Sequence, residues 1–314
     1  LSALMIQTHP SYQVVLVDNG SSDDSLTLVE RDYPEVAVIR NDTNLGFAAA
    51  NNIALNRIQS RYVATLNNDT QVEPTWLAEL ARGMEKDPAI GMCASKMVFL
   101  EDQKTINSAG ISVDRAGIAW DRRGGEPDDD RSEQPEEIFG PCAGAAIYRR
   151  KMLEEINFFD EDFFAYMEDV DLAWRAQLAG WRCLYVPTAL VYHAHSATAG
   201  EGSPFKNRLK GRNTLWTIAK NYPWPHWLCY LPAILFYDLA AVAYTLVVLR
   251  DVNPLRGRLE ALRGLRSLML KRRAVQALRV VPSRVMLSRL EPIESPLRVL
   301  RRYRHLREMG VGRE

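Results

Sequence analysis

Cysteine is scarce. Cys93, Cys142, Cys183 and Cys229 stand far apart in 314 residues, with no C-x-x-C pair and no histidine at zinc-finger spacing. That pattern indicates neither a disulfide framework nor a structural zinc site, and it fits a reducing compartment. Neither G-x-G-x-x-G nor G-x-x-x-x-G-K-[ST] occurs, which argues against the usual dinucleotide fold and the P-loop, so phosphates must be held another way. No low-complexity tract or fixed-period repeat is present, and 47% hydrophobic with 25% charged residues describes a folded protein rather than a disordered one. The chain opens with neither a Met nor a charged region leading into an apolar core, so no signal peptide is read and secretion is unsupported.

The net charge is zero, but it is unevenly spread. From Arg250 onward there are 17 basic and 6 acidic residues, against 22 basic and 33 acidic before it. A tail of that sign meets an anionic surface, either nucleic acid or phospholipid. The preceding stretch decides for lipid: Trp227 to Leu249 is 23 residues long with one charge, Asp238, and Trp224 and Arg250 at its ends. It is long enough to span a bilayer, although Pro232 and Asp238 fit two shorter interfacial helices equally well. The tail itself repeats Leu and Arg at helical intervals, as a basic helix on anionic lipid does; the competing reading packs it on the rest of the protein.

Before these segments, short apolar strands alternate with helices. Gln13 to Val17 reads as a buried strand running into the polar turn Asp18-Asn19-Gly20, Ser25 to Tyr33 as a helix, Val36 to Arg40 as a strand, Gly46 to Ile58 as an Ala-rich helix, and Tyr62 to Leu66 as a third strand. The alternation predicts an α/β fold with a mixed, mostly parallel central sheet covered by helices on both faces and a ligand at the carboxyl ends of the strands. Gly124 to Glu137 is acidic and turn-rich and reads as a surface loop, and the stretch Asp160 to Leu178 places Leu172, Ala173, Trp174 and Ala176 on a helix that starts near its acidic cluster and is ended by Gly180.

In order along the chain stand VDNGSSDDS (17–25), NLGFAAANN (44–52), LNNDT (66–70), GPCAGAAIYRR (140–150), MEDVDLAWR (167–175) and VYHAHS (191–196). This series resembles the family 2 glycosyltransferases, and within them the rhamnosyltransferase-type enzymes of bacterial cell-surface polysaccharide synthesis, from Leu1 to about Tyr222. Each motif alone is weak; the ordered set is specific. The resemblance implies a GT-A fold and an inverting enzyme that moves a sugar, with rhamnose favoured, from a nucleotide diphosphate sugar to a hydroxyl of a glycan or polyprenyl-linked acceptor.

It also implies roles. Asp18, Asn19, Gly46, Asn67, Asn68 and Gly144 fall where such enzymes bind the nucleotide sugar. A carboxylate and an amide suit nucleoside donors, although Asp18 and Asn19 also suit a plain Asx-turn. Asp69 ends a D-x-D-like motif and is the expected ligand of a divalent cation, Mg²⁺ or Mn²⁺, with His193 as its partner and His195 in reserve. Asp169 takes the place of the catalytic base and Glu168 supports it, whereas the bland reading makes both first-turn acids that favour a helix start. Asp171 and Arg175 are structural first.

The resembling family carries an apolar strand before the position of Leu1, so the first strand is expected to be missing and the remainder poorly stable. Q-x-x-R-W, carried by processive relatives, is absent, which points to addition of one or a few sugars. The resulting partition is a glycosyltransferase domain at 1–222, a membrane-associated segment at 223–250 and a basic helical tail at 251–314, peripheral to or anchored at the cytoplasmic face of a bacterial membrane, with no nucleic acid expected. A nucleotidyltransferase and a non-catalytic nucleotide-sugar binding module are the rivals.

Overall fold

The computed structural model describes residues 1–129, 133–194 and 203–310. His195 and part of the acidic loop therefore lie outside the described residues. The first half runs α1 (Ser2–Met5), β1 (Val15–Asp18), α2 (Ser25–Asp32), β2 (Ala37–Arg40), α3 (Gly46–Arg57), β3 (Tyr62–Leu66), β4 (Thr70–Val72), α4 (Trp76–Glu85) and β5 (Ile90–Phe99). Then come β6 (Ile106–Ser108), β7 (Ile111–Val113), β8 (Ala119–Asp121), β9 (Glu136–Ile138), β10 (Ala145–Arg149), α5 (Arg150–Ile156), α6 (Glu168–Leu178) and β11 (Arg182–His193). Helices complete the chain: α7 (Pro204–Asn221), α8 (Trp224–Val247), α9 (Asn253–Arg263), α10 (Leu265–Ala277), α11 (Ser283–Ser288) and α12 (Pro296–Gly310).

The strands and helices expected between residues 13 and 66 form within a residue or two of their expected bounds. The sheet is mixed, as expected, but antiparallel ladders outnumber parallel ones among the described residues. Only β1 with β2 and β5 with β11 run parallel; β3, β4, β6 and β9 each join antiparallel, and so does β10 to both β3 and β5. The physical reason is local. The βα alternation that dictates parallel crossovers stops after β3, and β10 then enters from the turn at 140–144 to lie between β3 and β5. Strand β5 is buried along nearly its whole length, as a strand covered on both faces must be.

The β1–β2 pair forms a sheet of its own, separate from the seven-stranded sheet in which β3, β10, β5, β11 and β4 follow one another. Among the described residues β1 pairs only with β2 and β3 only with β10, and a large cleft is lined by Val15 and Val17 of the one and Val63 and Thr65 of the other.

The C-terminal helices are built into the core. Val275, Met286 and Leu290 share one apolar cluster with Phe139, Trp174 and Tyr222, and the Val280 and Val281 amides donate to the Leu178 carbonyl at the end of α6. Ser203 starts α7 by accepting from the Lys206 amide, with Pro204 in the first turn, an arrangement that satisfies an otherwise orphaned helix donor. Helix α8 is one continuous 24-residue helix with Pro232 inside it. Its Asp238 is paired with Arg258 of α9 at 2.6 Å, so the one charge in the apolar run turns toward protein.

Strand edges left open fray first. Amides of Val15–Asp18 and Ala37–Arg40 are expected to exchange with deuterium at least about tenfold faster than those of Cys93–Met97; equal protection of the two sheets in hydrogen-exchange mass spectrometry would contradict a detached β1–β2 pair.

Candidate active site

The polar ends of β1 and β3, the 140–144 turn and the start of α6 converge on one cleft of about 2030 Å³. Asp18, Asn19, Gly46, Asn67, Asn68, Asp69, Gly144, Glu168 and Asp169 all line it. It exceeds the roughly 300–1,000 Å³ of ordinary ligand pockets because it continues into the gap between β1 and β3.

Backbone contacts lock the floor together. The Asn67 amide donates to the Gly144 carbonyl at 2.9 Å, and Thr65 Oγ1 donates to the Ala143 carbonyl at 2.7 Å. The Ala143 amide in turn donates to Asp169 Oδ2 at 3.3 Å, while the Val170 amide reaches Oδ1 at 2.8 Å. The carboxylate of Asp169 is thereby fixed against the turn. A side chain at Gly144 would press on the Asn67 amide group, 3.3 Å from a Cβ built there.

Burial pushes Asp169 up to about 6; the Val170 and Ala143 amides oppose the rise and the nearby charge of Asp121 adds to it. Glu168 is held well above the usual carboxylate range by burial first and by the charge of Asp169 second. Its Oε2 is buried without a hydrogen-bond partner among the described residues. Burial therefore raises both adjacent carboxyls, whose charges lie side by side. Cys142 is kept a neutral thiol by burial and by the charges of Asp121 and Asp169, which rules it out as a ready nucleophile.

On the other side, β4 pairs with β11 so that Thr70 lies opposite His193, and the Ala194 amide donates to the Asp69 carbonyl at 2.9 Å. His193 Nδ1 is 2.9 Å from Asn107 Oδ1. An amide oxygen only accepts, so Nδ1 donates to it, and Nε2 faces Asp69 Oδ1, 3.3 Å away. An imidazole nitrogen and a carboxylate oxygen at that separation can be joined by a proton or by a divalent cation. An outer amide that sets the imidazole tautomer is also the usual support of a metal-binding histidine.

The N-terminal half of the chain, residues 1–157, matches the family described as Glycosyl transferase family 2. The chain belongs to glycosyl transferase family 2. It is 30% identical over 220 residues to the N-acetylglucosaminyl-diphospho-decaprenol L-rhamnosyltransferase of Mycobacterium tuberculosis, covering 62% of this chain and 71% of that protein. The pre-mycofactocin glycosyltransferase of the same organism is 30% identical over 190 residues, 58% of this chain and 37% of that one. Among solved structures, S. aureus TarS 1–349 in complex with UDP superposes with a TM-score of 0.53 at 19% identity, over 88% of this chain and 82% of that one. GalNAc-T7 with UDP, GalNAc and Mn²⁺ gives 0.54 at 16%, over 69% of this chain and only 44% of that one. These likenesses establish the GT-A fold and set aside the nucleotidyltransferase and the passive binding module.

Not every residue expected at the glycosyltransferase site is free to touch a ligand. The Asn19 side chain makes four hydrogen bonds within the protein: it donates to Asn44 Oδ1 and the Gly46 carbonyl and accepts from Asn41 Nδ2 and the Leu45 amide. That is its full capacity, so it shapes the rim by tying the 41–46 loop to β1. Asp18 accepts from the Ser21 amide three residues on, at 3.2 Å, so part of its capacity holds the turn after β1. Gly46 has φ +85°, and a Cβ there would lie 2.6 Å from the Phe164 carbonyl oxygen; it lets α3 abut the loop before α6.

Asp121, at the end of β8, was missed from sequence. It stands close enough to Asp169 to raise its protonation range, yet nothing in the run Trp120-Asp121-Arg122 separates it from the acidic loop that follows. Arg175 does steady Asp171, at 2.9 Å.

A carboxyl whose value is raised in the fold costs stability only when ionised. For Asp169 the cost is absent below about pH 4 and complete above about pH 6. Asp169→Asn is therefore expected to raise the Tm by a few degrees at pH 7.5 and to leave it unchanged at pH 3.5 in thermal melts; the opposite pH trend would contradict the buried-acid assignment.

Proposed function

We propose that the chain is an inverting glycosyltransferase carrying a sugar, with L-rhamnose favoured, from a nucleotide diphosphate carrier to a hydroxyl of a polyprenyl-linked glycan. The leaning toward rhamnose and a lipid carrier comes from the M. tuberculosis relative, whose name specifies both. The observation that carries the mechanism is Asp169 itself: a carboxylate fixed by two backbone amides, raised to about 6, in the same cleft as Asp69. A base with a value just below neutrality is ionised at working pH and still basic enough to take a proton.

In this reading Asp169 accepts the proton of the acceptor hydroxyl as its oxygen attacks the anomeric carbon from the face opposite the nucleotide, which inverts that centre. Glu168, beside it on the cleft wall, positions the acceptor or the base. Asp18 accepts from the nucleoside, Asn67 and Asn68 line the donor side, and the Gly144 turn admits the sugar ring close to the backbone.

A divalent cation fits the facing acceptors Asp69 and His193, which would hold it. Among the described residues no group of three or more His, Cys, Asp or Glu forms a complete cage, so its remaining ligands would be diphosphate oxygens and water, a pattern common for Mg²⁺ and Mn²⁺. When bound, the ion neutralises charge on the departing nucleotide diphosphate. An imidazole ligand favours Mn²⁺ over a pure oxygen site.

We place the catalytic part at 1–222 and read α8 as its membrane contact. It is the one helix among the described residues long and apolar enough to cross a bilayer. Trp224, Leu228, Leu235, Phe236 and Leu239 are exposed on it, and the basic helices behind it suit the anionic cytoplasmic leaflet.

A screen of nucleotide sugars against a prenyl-diphosphate glycan acceptor tests the chemistry. Asp169→Asn is expected to lower transfer by about 10²–10⁴-fold while donor binding persists, EDTA to abolish transfer and Mn²⁺ to restore it, and product NMR to show an inverted anomeric centre. Full activity of the Asn variant would refute the base assignment. Independently, the protein should float with vesicles containing anionic phosphatidylglycerol and lose that binding when Leu235, Phe236 and Leu239 become Ser; equal binding by the variant would rule out α8 as the contact.

A further inference from the structure

Three of the four residues before Glu168 carry unusual backbone. Phe164, Tyr166 and Met167 have φ of 65°, 66° and 71°, a left-handed region costing of order 1–3 kcal/mol for each side-chain-bearing residue. Met167 is the N-cap of α6, so this strained turn sets where Glu168 and Asp169 begin. A conformation of that kind persists only if something outside it holds it.

The holder is on α7. Asn213 is fully buried, and its Nδ2 donates to the carbonyls of Phe163 at 3.0 Å, Ala165 at 2.9 Å and Tyr166 at 2.7 Å. Two amide hydrogens serve three acceptors, so at least one is shared. Asn213 is itself oriented: its Oδ1 accepts from Arg212 Nε at 2.9 Å, and Arg212 Nη2 donates to the carbonyls of Asp162 and Phe163. From the far side the turn is braced by the Ala48 amide, which donates to the Phe164 carbonyl at 3.1 Å. Glycine at position 46 makes that approach possible.

We propose that Asn213 is a positioning residue for transfer: by gripping three carbonyls of the strained 163–167 turn it fixes the start of α6 and so aims Asp169 at the acceptor hydroxyl. This rests on the reading of Asp169 as the base. Asn213 touches neither substrate nor Asp169, and it lies outside the residues that match the family.

Asn213→Ala, Arg212→Ala and Asp169→Asn are compared with the unsubstituted full chain, using nucleotide-activated L-rhamnose and N-acetylglucosaminyl-diphospho-decaprenol as probes. Asn213→Ala is expected to lower kcat by about 10²-fold, the usual consequence of a misplaced catalytic group, with the donor KM changed by no more than about twofold. The acid limb of its pH profile should also move, because Asp169 changes surroundings. Hydrogen exchange in peptide 163–170 should accelerate while Ile90–Phe99 stays protected. Arg212→Ala, which removes the outer half of the grip, should shift the same readouts less and decides the matter if Asn213→Ala does not fold.

A folded Asn213→Ala protein with unchanged exchange in 163–170, or with kcat and pH profile per folded molecule unaltered, overturns the proposal. The exchange arm stands alone if the probes give no turnover. Loss of activity in Asp169→Asn with none in Asn213→Ala removes only the positioning role, whereas full activity in Asp169→Asn removes the base assignment on which it depends.

Discussion

Asp171 is the hinge on which the site turns. Its carboxylate is completely buried and accepts from Arg175 Nε at 2.9 Å, Lys220 Nζ at 2.9 Å and Asn221 Nδ2 at 2.8 Å. Burial alone would push this acid up, but the charges of Lys220 and Arg175 outweigh it and keep the group below its ordinary value. Lys220 also reaches Asp160, which Lys271 of α10 contacts in turn, and Arg175 donates to the carbonyls of Ile156, Asn157 and Phe158. One buried anion therefore joins α6, α7, α10 and the 156–160 chain. Taking away both cations would leave a buried charge uncompensated, at about 3–5 kcal/mol or more.

That arrangement explains why two acids two and three residues before Asp171 can remain poised for chemistry. Asp171 bears the structural load of α6, so Glu168 and Asp169 face the cleft instead of a cationic partner. Burial is the largest influence on both and moves them upward. Had Lys220 faced Asp169, the acid would have been stabilised as an anion and become a poorer base.

How much of this could be read from the chain differs from residue to residue. Asp69 and His193 were paired by resemblance, and β4 against β11 does set them 3.3 Å apart. The strands and helices up to β3 were legible because each is a short apolar run with a turn at its end. Asn107, which orients His193, was not legible: an asparagine 86 residues away carries no local signal. Asn19 was expected at the nucleotide and instead spends every hydrogen bond on the 41–46 loop, since an amide before a turn looks the same in either role. The excess of antiparallel ladders was invisible because β10 pairs across some 80 residues of chain.

The ordered motifs by themselves determined the family, the α/β alternation at the start and the identity of the paired acids, because those properties live in residue type and short spacing. They also marked the apolar helix, whose length and composition need no partner to be recognised. Tertiary structure alone decided which acid is held as an anion and which two are raised, since that depends on Lys220 and Arg175 surrounding Asp171 and on Asp121 approaching Asp169. It likewise decided that Val275, Met286 and Leu290 belong to the core beside Trp174. Burial and long-range charge are properties of the packed molecule, and no stretch of sequence contains them.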